Sequence, residues 1–135
     1  MTIPASQEQV TIELKTLLDE LRRRHWTLMV WGPRDQPDLV VSMFKWQTCV
    51  DVLILRSRND ASAYRAPAIE GSPMLNPEVV SYQYHAPALW TLRAILGLPE
   101  PGKEGAPMGL ETPADQCRIP EGLPKPIIIR PLGMN

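Results

Sequence analysis

Cysteine is scarce: the chain of 135 residues holds two, Cys49 and Cys117, and neither sits in a Cys-x-x-Cys pair or a Cys/His array. That spacing offers no zinc site and no disulfide framework, so neither metal nor cofactor is expected. Two reduced thiols in a cytoplasmic protein is the reading that follows, with a single Cys49–Cys117 disulfide left open. Long apolar runs are also missing. The longest are a few residues, such as Val52 to Leu55, against the roughly 20 needed to cross a bilayer. The first residues, Met-Thr-Ile-Pro-Ala-Ser, lack the basic start and apolar core of a signal peptide, which again points to the cytoplasm and away from a membrane. No charge of one sign dominates, because 14 basic and 15 acidic residues give a net charge of -1. Such a balance argues against nucleic acid as a partner. No glycine-rich phosphate cradle is present either.

What remains has the composition of an ordinary folded domain, 44% apolar and 21% charged. Its length suffices to bury a core without covalent staples. Val10, Leu14, Leu17, Leu18 and Leu21 recur at helical spacing, predicting an amphipathic helix. Ser6 and Gln9 fit a capping box at its start, and Arg22, Arg23 and Arg24 suit the negative end of its dipole. The same arginines can contact phosphates, but pairing with Asp19 and Glu20 is the simpler account.

Three strand-like runs follow, at 25–31, 39–46 and 49–56, joined by short links that favour an antiparallel meander. Arg34 to Asp38 carries turn chemistry. None of the runs alternates cleanly between apolar and polar, so both faces of the sheet are expected to be covered. Residues 57–76 read mostly as loop, with a brief strand at Ala63 to Ala66. A further strand is expected over 79–85, then a helix with Pro87 at its first position and Gly97 just beyond its end. The fold expected is therefore α+β: an antiparallel meander of about four to five strands with an N-terminal and a second helix.

Eight of the 15 prolines fall in the last 38 residues. This divides the chain into a globular part, 1–97, and a Pro-rich extended C-terminal arm, 98–135, packed on the domain or on a partner subunit. Its apolar residues, Ile127, Ile128 and Ile129 among them, give the arm a short edge strand and a candidate interface. Trp31 and Trp46, at strand ends, are the other interface candidates.

The most distinctive polar stretch runs from Arg56 to Arg65. Arg56, Arg58 and Arg65, with Tyr64 and His85, are candidate ligands for a carboxylate or phosphate. The plainer account is a solvated loop. His25 and His85 are the two histidines, and Asp51 is the odd carboxylate in an apolar strand; it can pair with His85 or Arg93, but an edge-strand charge or a structural ion pair is the plainer account. No nucleophile with an orienting acid accompanies them, so catalysis is not favoured. Function is expected to be that of a non-enzymatic protein-interaction or accessory module, self-associating or binding another protein. The alternative is an anion binder or enzyme using the arginine stretch.

Overall fold

The computed structural model describes residues 7–33, 35–71 and 73–130, and for residues 7–11 the helical backbone alone. The predicted capping box at Ser6 and Gln9, the side chain of Val10, the turn residue Arg34 and the chain after Arg130 lie outside what is described.

Six strands form one antiparallel sheet: β1 (Thr27–Trp31), β2 (Leu39–Lys45), β3 (Cys49–Ser57), β4 (Asp60–Pro67), β5 (Tyr82–Ala86) and β6 (Ile127–Ile129). Their order is β5-β4-β3-β2-β1-β6, so the first five make a meander and β6 closes the far edge beside β1. Two α-helices accompany them, α1 (Gln7–Arg23) and α2 (Ala88–Leu96). The class is α+β, with a sheet slightly larger than expected.

The alternation along β2 and β3 separates two apolar cores. Val41, Met43, Val52 and Ile54 face one side, while Phe44, Leu53 and Leu55 face the other. The second side receives the helices: Leu21 of α1 and Leu92 and Ile95 of α2 pack against Leu53 and Ala63. Each such side chain, taken from water, contributes roughly 1.5–3 kcal/mol. The first side is capped without an α-helix among the described residues. Leu75, Val80, Cys117, Ile119 and Leu123 pack there, drawn from irregular segments on either side of α2. Trp31 Nε1 donates to Pro124 O at 2.7 Å and Tyr64 Oη to Met74 O at 2.8 Å, fastening those segments to the sheet.

The turn from α1 into the sheet depends on His25. Its φ of 65° is left-handed. The His25 amide bonds Arg22 O at 3.1 Å and the Trp26 amide bonds Leu21 O at 3.0 Å. These two bonds form a Schellman closure, which usually places glycine where His25 stands. His25 therefore ends a helix instead of opening β1.

Two further expectations need correction. Within residues 57–76 the strand is longer than Ala63 to Ala66, because Asp60–Pro67 pairs with β3 on one side and β5 on the other. The strand expected over 79–85 starts later, at Tyr82, and Val80 makes only an isolated bridge with Glu111. Pro87 stands one residue before α2, and Gly97 closes it with a right-handed φ of -86°.

Candidate functional site

Side chains that bear chemistry gather in three places. The first is inside the helix-covered face. Asp51 and Arg65 are direct partners across β3 and β4, each 2% exposed. Arg65 Nε donates to Asp51 Oδ1 at 2.6 Å and Nη2 donates to Oδ2 at 2.9 Å. The Trp46 indole adds a bond to Oδ2 at 2.9 Å, and Arg65 Nη1 reaches Pro99 O at 2.7 Å. Burial disfavours the guanidinium charge, yet the bonds and charge of Asp51 outweigh that and hold the Arg65 pKa above its ordinary value. Asp51 thus pairs with neither His85 nor Arg93. Arg93 Nη2 instead joins Glu13 at 2.5 Å, tying α2 to α1. No buried side-chain polar atom among the described residues lacks a partner. A buried pair this complete adds little net stability, but a one-residue slip of β4 would separate it.

The second place is a polar relay at the β5 end of the opposite face. Ser62 and His85 are direct partners across β4 and β5. Arg56 Nη1 donates to Ser62 Oγ at 3.0 Å, so the hydroxyl proton is directed to His85 Nδ1, 2.8 Å away. His85 then carries its proton on Nε2 and donates to Gln83 Oε1 at 3.1 Å. The same amide oxygen accepts from the Ala114 amide at 2.9 Å and the Cys117 thiol at 3.5 Å. Gln83 Nε2 donates to Thr112 O at 3.2 Å, while Arg56 Nη2 donates to the carbonyls of Gln116 and Arg118. The bonds of Gln83 and Arg56 fasten residues 112–118 to β5 and β3, and those of Ser62 and His85 tie the strands together beneath them.

A cysteine 4.0 Å from a histidine invites a nucleophilic reading. The electrostatics oppose it. Cys117 is fully buried, and burial pushes its thiol pKa up to about 11. His85 is lowered by burial and by the nearby Arg56 charge, so it too stays neutral. An activated thiolate needs a depressed pKa and access to solvent. The relay is a latch by this chemistry.

The third place is the outer edge formed by β6. Ile127, Ile128 and Ile129 pair with Val30, Met29 and Leu28 of β1, and Ile127 and Ile128 are 46% and 50% exposed. Beside this edge, where α1 ends, a groove is floored by Trp26, Leu28 and Ile129. Arg22, Arg23, His25 and Arg130 rim it, and Asp35 stands at its continuation.

The sequence-predicted residues are therefore dispersed. Arg56 and His85 share the relay, with Tyr64 on the same face; there burial raises the Tyr64 phenol. Arg65 points to the other face, and Arg58 lies in the β3–β4 turn, where it has a partner. Trp31 is buried, and half-buried Trp46 stands edge-on to Phe44, their centroids 4.8 Å apart. Sequence reasoning missed Ser62, Gln83 and Cys117 as members of the relay. Their only signal was the alternation of Ser62 with Tyr64 and of Gln83 with His85. Cys49 and Cys117 are both free and buried, and no helix among the described residues is long and apolar enough to cross a membrane. No protein-family model, curated protein or solved structure matches this chain.

Proposed function

We propose that this protein is a non-enzymatic cytoplasmic interaction module, accessory to a partner, whose working surface is the β6 edge of its sheet. The observation that carries this reading is the exposure of Ile127 and Ile128 on the outermost strand. An edge strand offers unpaired N–H and C=O groups as a template for another chain, and exposed side chains on either side confer selectivity. The occupant is a second copy, twofold pairs being the commonest assemblies, or another protein. Two buried free thiols fit a reducing compartment.

The alternative, an anion binder or enzyme built on the Arg56 to Arg65 stretch, has less support. Arg56 and Arg65 serve opposite faces of the sheet and are engaged by internal acceptors. Nucleic acid is disfavoured by the net charge of -1.

The test is the native size of the protein in an extract of its own cells. Wild type is expected above the 15.2 kDa of one chain, and Ile128→Glu is expected to return it to that mass. Wild type eluting as a single chain, or a complex indifferent to Ile128→Glu, would remove the reading.

A further inference from the structure

Which partner the β6 edge accepts is written in its charges, and we propose that it takes an extended segment of another protein in which acidic and apolar residues alternate. The inference rests on the interaction reading above and adds the chemistry of the occupant.

Three observations carry it. First, the two sides of β6 differ. Ile127 and Ile129 oppose Val30 and Leu28, whereas Ile128 opposes Met29, whose side chain packs in the core away from the helices. A strand added beside β6 alternates its side chains in the same way. One set then lies along the groove at the end of α1, and the other lies beside Ile128.

Second, the groove is cationic. Arg22, Arg23, His25 and Arg130 rim it, and Asp35 is the acidic residue at its continuation. Arg23 is paired with Glu20, but Arg22 and Arg130 have no ion-pair partner among the described residues. Carboxylates on the groove side of an incoming strand would meet these guanidiniums as forked pairs. Apolar residues on its other side would cover Ile128.

Third, the charges oppose a second copy. Lys125 and Arg130 bracket the short strand. Pairing of β6 with its own copy would bring a second Lys125 and Arg130 to this cationic edge and no carboxylate for the groove. No acidic residue lies in 124–130 to offset them. Basic residues on an edge strand discourage such self-pairing.

The test uses two labelled heptapeptides, alternating Glu with Val and alternating Lys with Val, titrated against the purified full chain by fluorescence anisotropy. The acidic peptide is expected to bind, and to weaken as salt is raised. Arg22→Glu with Arg130→Glu should weaken it by about tenfold or more and transfer binding to the basic peptide. Ile128→Glu should abolish binding of the acidic peptide to the otherwise unchanged chain. These side chains are exposed, and circular dichroism is the check that each variant is folded. Equal binding of both peptides would overturn the charge assignment. Binding of neither peptide would overturn the acidic occupant, and light scattering then separates the consequences. A dimer dissolved by Ile128→Glu would leave the interaction reading standing with a second copy as the occupant. A monomer that binds neither peptide, and is single in native extract as well, would remove both.

Discussion

Arg65 lies directly across β3–β4 from Asp51 and grips its carboxylate with two bonds, at 2.6 and 2.9 Å, where neither residue meets solvent. Charge buried this deeply is tolerable only while both partners are present. Arg65→Met alone is expected to cost about 3–5 kcal/mol, because it strands the Asp51 carboxylate. Asp51→Leu combined with Arg65→Met is expected to recover most of that loss. Urea denaturation of the two single variants and the double measures it. A double variant no better than the sum of the singles would show that the pair is not coupled.

The relay at the other face makes stability depend on pH. The His85 pKa is lowered from the ordinary 6.5, first by burial and then by Arg56. With a depressed folded value, the unfolded chain takes up the proton first as pH falls. The stability linked to neutral His85 is therefore complete above 6.5 and is lost as pH drops through the lower folded value. Thermal melts of wild type and His85→Gln should diverge least at the acid end of that window and most above it. A difference that stays constant with pH would contradict the assignment.

Helix α1 ends on a strained residue. His25 holds a φ of 65° in the closing turn, where glycine has no steric cost. His25→Gly relieves the left-handed cost and loses a smaller amount to the freer unfolded chain, so it is expected to stabilise by about 0.5–1 kcal/mol, read as a higher denaturation midpoint. Destabilisation would mean that the imidazole makes a contact beyond its backbone role.

Cys117 should be inert while the chain is folded. It is wholly buried and its thiol sits at about 11, so neither access nor thiolate is available at neutral pH. Ellman's reagent is expected to modify it only as fast as residues 112–118 detach, and rapidly in urea. Prompt labelling of the folded protein would indicate an activated thiol and revive a catalytic reading.

How much of this was legible in the sequence depends on range. The stripe Leu14, Leu17, Leu18 and Leu21 is local, and it led directly to α1. The lack of clean apolar–polar alternation in β2 and β3 is local too, and it implied a sheet covered on both faces, as the two cores are. Strand β4 was hidden because Ala61, Ser62, Ala63 and Ala66 have little intrinsic preference for strand. Its pairing with β3 and β5 overrides that preference. The Asp51–Arg65 pair depends on a register 14 residues apart in the chain, and the Gln83–Cys117 contact on one 34 apart. Pairings of that kind are set by the assembled sheet, and no spacing rule reveals them. The isoleucines of β6 were visible as an edge strand. The arginines of α1 that stand beside them were read as helix-end charges in preference to phosphate contacts.

The most direct test of the edge as the working surface is a photo-crosslinking side chain placed at Ile128 and, as a control, at Met108, which is 93% exposed. Irradiated in native cells, the Ile128 position should yield one discrete adduct, identified by mass as another copy or a different protein, and the Met108 position none of that mass. Equal yields from both positions, or no adduct from Ile128, would contradict the account.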